Sequence, residues 1–62
     1  MNIAWYYYDM QSMNCYYTES YSMSVTSFAE KVSAIVGYTV KASDTSAAHR
    51  WSELDKFNTI HI

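Results

Sequence analysis

Apolar side chains in "SVTSFAEKVSAIVG" fall at Val25, Phe28, Ala29, Val32, Ile35 and Val36, offsets 0, 3, 4, 7, 10 and 11 from the first. That spacing is one face of an α-helix. It predicts a helix over 25–36. Ser24 is placed to cap it, because its hydroxyl can accept from a first-turn amide. Gly37 is placed to stop it, since glycine enters the left-handed conformation without a Cβ penalty. A competing pattern runs through the same stretch: Val32, Ala34, Val36, Tyr38, Val40 and Ala42 alternate, as in one long strand. The helix is preferred because stripe, cap and stop agree.

Strand-like patterns flank it. "NIAWYYY" (2–8) is aromatic and free of breakers, and "CYYTESYSM" (15–23) alternates Cys15, Tyr17, Glu19, Tyr21 and Met23 against Tyr16, Thr18, Ser20 and Ser22. The polar link "DMQSMN" suits a hairpin loop. After Gly37, "YTVKA" (38–42) alternates again. Ser43 or Asp44 then caps a second helix, "TSAAHRWSELDKF", with Ala47, Trp51 and Leu54 at helical spacing and Phe57 beyond. "NTIHI" (58–62) closes the chain as a short strand. The order β-β-α-β-α-β predicts an α+β two-layer sandwich, a four-stranded sheet with both helices on one face. Strand order and register stay open.

Two helices can cover only one face of such a sheet. Ile3, Trp5, Tyr7, Tyr17, Tyr21, Met23, Tyr38, Val40, Ile60 and Ile62 are assigned to the covered side, against Val25, Phe28, Val32, Val36, Trp51 and Leu54. The open side would then carry Tyr6, Tyr8, Tyr16, Thr18, Ser20, Thr39, Lys41, Thr59 and His61. Tyrosine gives large, rigid, amphipathic contacts at low entropy cost, and Ser and Thr add adaptable hydrogen bonds. The expected partner-binding residues are Tyr6, Tyr8, Asp9, Met10, Tyr16, Thr18 and Glu19. Met10 and Met13 form a small adaptable apolar tip or fold back over the sheet edge. The alternative is that Tyr and Thr, which favour strands, form an ordinary solvated face. A register slip of one residue would exchange the faces and expose Trp5.

Size sharpens the question of what holds the fold. The chain has 62 residues, enough for one domain near the lower limit for a self-sufficient core. Cys15 is its only cysteine, so no intrachain disulfide forms, and with His49 and His61 it lacks zinc-site spacing. No cofactor is expected. Half the residues are hydrophobic and 18% aromatic, so dense ring packing, self-association or docking must serve instead. A lone thiol fits a reducing compartment. The N-terminus lacks the basic and apolar regions of a signal peptide, and no apolar run is long enough for a membrane span. The reading is a complete, cytoplasmic protein.

Charge is mild at −2 but lopsided. Residues 1–30 carry Asp9, Glu19 and Glu30 with no Lys or Arg, a sum of −3. Residues 31–62 carry Lys31, Lys41, Arg50 and Lys56 against Asp44, Glu53 and Asp55, a sum of +1. Nucleic-acid binders need clustered cations to meet phosphate, so that class is disfavoured. Stacking of single-stranded bases on Tyr6, Tyr8 and Tyr16 is kept as a third possibility. The acidity is also too weak to imitate DNA.

Catalytic constellations are sparse. His49 and Glu53 stand at i, i+4, a spacing typical of solvated helix pairs. Asp44 with His49, or Cys15 with either histidine, could be drawn as nucleophile and base, but nothing in the pattern brings them together. A single glycine cannot build a phosphate-cradling loop. The chain is read as a non-enzyme.

"YTVKASDTSAAHRW" (38–51), a short strand, a capped turn and an alanine-bearing helix, together with the small size, resembles in format the compact α+β proteins that phages encode to disable host enzymes, anti-CRISPR proteins among them. The family shares no signature motif, so no residue role carries over. The resemblance implies inhibition by steric masking of a bacterial protein, and location in the cytoplasm of the host. The acidic, tyrosine-rich first half would suit a basic surface on a nucleic-acid-handling partner. A self-associating structural protein, with a homodimer as its own partner, is the alternative.

Overall fold

The structure, a computed structural model, describes residues 4–19, 23–47 and 58–62. Its first strands, β1 (Trp5–Asp9) and β2 (Asn14–Thr18), form an antiparallel hairpin in which Tyr7 faces Tyr16 and Asp9 faces Asn14. A helix, α1 (Val25–Val36), follows, then a single 3-10 turn at Ala42–Asp44. The last strand, β3 (Asn58–His61), lies parallel to β2, so the sheet order is β1-β2-β3 with β2 at the centre.

The helix follows the sequence pattern. Ser24 Oγ accepts from the Ser27 amide at 3.1 Å, and Gly37 takes φ 84° while its amide donates to the Ser33 carbonyl. Phe28, Ala29 and Val32 are buried, and Val36 is half-buried against them. Ile35 departs from the expectation. It sits at one flank of the stripe and is exposed.

The expected four-stranded sheet with two helices on one face is not what forms. Among the described residues there are three strands, one α-helix and a 3-10 turn. The segment 38–42 explains part of the difference. Val40 is buried with Phe28 and Val32 while Thr39 and Lys41 are exposed, which is why it reads as alternating. A strand, however, needs a neighbour's ladder of amides and carbonyls. Here α1 takes that role: Ser33 Oγ accepts from the Val40 amide at 2.8 Å and donates to the Ala29 carbonyl at 2.7 Å. One serine hydroxyl satisfies the backbone that a strand partner would otherwise hold.

The second predicted helix is corrected at its start. Asp44 accepts from the Lys41 amide at 3.1 Å, capping the 3-10 turn. Two residues on, Ser46 pairs with β1, exchanging backbone hydrogen bonds of 2.8 and 3.0 Å with Tyr6. A residue bonded to a sheet edge cannot also begin a helix. The rest of that predicted helix, 48–57, lies outside the described residues, as do positions 2–3 and 20–22 of the first two predicted strands.

One side of the sheet packs on α1. Trp5 and Tyr7 from β1, Tyr16 from β2, and Ile60 and Ile62 meet Phe28, Val32 and Val40 there. The Trp5 indole donates to the Met23 carbonyl at 2.9 Å, fixing the approach to the helix. The expected sides of β1 and the last strand are those observed. Those of β2 are inverted: Tyr16 and Thr18 are buried on the helix side, while Cys15 and Tyr17 face away. The hairpin loop decides this. With four residues (10–13) between the paired Asp9 and Asn14, odd positions of β1 share a face with even positions of β2.

Candidate functional site

The seven residues singled out from the sequence separate by burial. Asp9, Tyr16 and Thr18 are 5%, 6% and 2% exposed. Tyr16 is a member of the core with Phe28, Val32 and Val40, so placing it on an open face is corrected, and Thr18 with it. Tyr6, Tyr8 and Glu19 are half-buried. Met10 alone of the seven stands well out, at 66% exposure.

The side of the sheet away from α1 is not bare either. It presents Tyr6 and Tyr8 from β1, Cys15 and Tyr17 from β2, and Thr59 and His61 from β3. Tyr6 and Tyr8 meet edge to face with centroids 5.1 Å apart, and Tyr17 meets His61 at 5.0 Å and 85°. Such T-shaped contacts place a positive ring edge against a negative ring face. Tyr17 and Cys15 are nevertheless buried, and Tyr8, Tyr17 and Thr18 have further partners. The sheet therefore shelters apolar groups on both sides. Stacking of bases on Tyr6, Tyr8 and Tyr16 together is ruled out by the burial of Tyr16.

Cys15, on the central strand, is fully enclosed, and burial pushes its thiol up to about 11. A thiol held protonated at neutral pH is a poor nucleophile. Burial likewise raises the Tyr17 hydroxyl above its ordinary value, with the charge of Glu19 adding to it. Among the described residues no three of His, Cys, Asp and Glu cluster as metal ligands.

What the structure does gather is the end of the hairpin. Asp9 organises it: Oδ2 accepts from the Ser12 hydroxyl at 2.8 Å, and Oδ1 accepts from the Gln11 amide at 3.2 Å. The Met13 amide donates to the Asp9 carbonyl at 2.8 Å, and Met13 adopts φ 61°. Oδ1 also accepts from the Tyr38 hydroxyl, 29 residues away, at 2.9 Å. The ordered loop thus carries Met10 and Met13 outward, at 66% and 51% exposure. Tyr38 (37%) is tied to it through Asp9, and Ile35 (51%) lies three residues before Tyr38.

No family model, curated protein or solved structure matches the chain.

The exposed set was only partly visible beforehand. The composition of "DMQSMN" allows its methionines either to form a tip or to fold back over the sheet edge, and they stand outward; alternation places Tyr38 on the covered side and the helical spacing places Ile35 on the stripe, yet both are exposed. The signal for Tyr38 was its place one residue past the predicted helix stop, where the chain turns and a core assignment by alternation loses its footing. Among the described residues no helix is long and apolar enough to cross a membrane.

Proposed function

We propose that this chain is a non-enzymatic protein-binding module whose hairpin tip, with the adjoining tyrosines, docks on a larger protein and masks a functional site. The observation that carries the reading is Met13. It is half exposed and holds a left-handed backbone that Gly or Asn would adopt at less cost. Strained non-glycine residues concentrate where a side chain is needed for contact. Methionine is flexible and polarizable, which suits a surface that must adapt to a partner. Half-buried Tyr6 and Tyr8 flank this tip on the hairpin, and residues 1–30 bring only acidic charge. A partner with a basic surface, such as a bacterial nucleic-acid-handling protein, fits that balance, as does the phage-inhibitor format.

The test is capture from a bacterial host extract by the immobilised protein and by Met10→Ser with Met13→Gly. The second substitution relieves the backbone at position 13 while removing the thioether, so the fold is retained. Loss of a discrete captured protein, with a cooperative thermal transition preserved, supports the reading. Equal capture by both proteins overturns it. Tyr16→Ala is uninformative here, because it opens the core.

Self-association is the second reading, favoured by β3. It pairs with β2 on one side, and among the described residues no strand pairs with its other edge. Such an edge offers backbone donors and acceptors to a second copy. Sedimentation at micromolar concentration separates the two: a tight dimer favours β3 pairing, and a monomer favours the docking module.

A further inference from the structure

We propose that the hydroxyl chain Tyr7–Tyr38–Asp9 is a proton-sensitive latch that holds the Met10–Met13 tip in one shape. Its functional meaning rests on the tip being a contact surface, but the latch itself is a property of the free chain.

The direction of the chain follows from proton counting. Tyr38 has one hydroxyl proton, which it donates to Asp9 Oδ1 at 2.9 Å. The 2.9 Å contact between the Tyr7 and Tyr38 hydroxyls must then be donated by Tyr7. Tyr7 therefore polarises Tyr38, and Tyr38 donates to the carboxylate, each bond strengthening the next. On its other side Asp9 holds the tip through Ser12 and Gln11. One carboxylate thus joins three places: the strand β1, the segment after α1, and the exposed loop.

The charge of Asp9 is held by donors. The Ser12 hydroxyl foremost, then the Tyr38 hydroxyl and the Gln11 and Ser12 amides, hold its carboxyl below the ordinary 3.8, against the opposing effect of burial. The groups facing it are Tyr7 on β1, Tyr38 after α1, and the neutral Asn14 paired with it on β2. A proton on Oδ1 would confront both Tyr38 and Gln11; a proton on Oδ2 would confront Ser12. In either case at least one donor must turn away or reverse, and reversing Tyr38 forces Tyr7 to reverse as well. Because the folded value lies below the unfolded one, the latch is at full strength above about pH 4 and weakens as pH falls through the folded value.

Backbone amide protection at Gln11, Ser12 and Met13, corrected for intrinsic exchange, reads the latch in the free protein. At neutral pH, Asp9→Asn should lower tip protection roughly tenfold, the scale of one charge-assisted hydrogen bond. Tyr38→Phe should lower it in the same amides, and Tyr7→Phe should do so less, since Tyr38 still reaches Asp9. Wild type should fall to the Asp9→Asn level on acidification, and Asp9→Asn should show no further step. If Asp9→Asn does not fold cooperatively, Tyr38→Phe and Ser12→Ala carry the test. Tip protection equal to wild type in Tyr38→Phe overturns the latch, as does an acid step that persists in Asp9→Asn. Unaltered partner capture by the methionine variants would remove the docking function while leaving these amide results untouched.

Discussion

Cys15 and Gly37 make opposite demands on their surroundings. Cys15 is enclosed on β2, and its thiol is raised from 9.0 to about 11. Because the folded value lies above the unfolded one, the contribution is fully present below pH 9 and is lost as pH rises through about 11. Alkaline titration followed by circular dichroism should therefore show a loss of stability that begins near pH 9, and Cys15→Ala should delay its onset, leaving the loss that the raised Tyr17 hydroxyl contributes at higher pH. Gly37 has no atom within 4 Å of where a Cβ would sit, so its φ of 84° is the whole cost of replacing it. Gly37→Ala and Gly37→Lys should both destabilise by about 1 to 2 kcal/mol in urea titration. A much larger loss for lysine would reveal a contact there after all.

At the scale of elements, the features legible in the sequence were those set locally. The spacing from Val25 to Val36 fixes a helix because 3.6-residue periodicity, a Ser24 cap and a Gly37 stop all lie within one short window. The alternation of Trp5 and Tyr7 against Tyr6 and Tyr8 was legible for the same reason. What escaped were decisions made at a distance. Segment 38–42 alternates like a strand, yet the Ser33 hydroxyl takes the Val40 amide at 2.8 Å, and nothing in "YTVKA" announces that. Ser46 joins Tyr6 across forty positions, and Tyr38 reaches Asp9 across 29. Of the candidate surface, the methionine loop could be read from its composition, whereas the burial of Tyr16 and Thr18 could not. Ser33→Ala should cost about 1 to 3 kcal/mol, since it leaves the buried Val40 amide without its acceptor. Ser24→Ala, a cap at an exposed helix start, should cost about 1 kcal/mol. Thermal melts of the two variants give the order; a reversed order would mean that water replaces the Ser33 hydroxyl.

For the whole molecule, so small a core leaves little reserve. A chain of 62 residues has a total stability of about 3 to 9 kcal/mol at roughly 0.05–0.15 kcal/mol per residue. Phe28 is fully buried at the centre of the packing, and Phe→Ala changes in cores cost about 3 to 5 kcal/mol. Phe28→Ala should consequently remove between about a third and all of that stability, read as a lowered urea midpoint by circular dichroism, while an unchanged midpoint would place the main packing elsewhere. The hairpin loop constrains the molecule in another way. Sliding β2 by one position, so that Asp9 met Cys15 in place of Asn14, would turn Cys15 and Tyr17 towards Phe28 and Tyr16 outward, whereas a slide of two would leave every inward ring facing inward. An epitope grafted between Asp9 and Asn14 for display should thus survive at any length that leaves that pair opposed, and fail where it pulls the two strands out of step by a single residue.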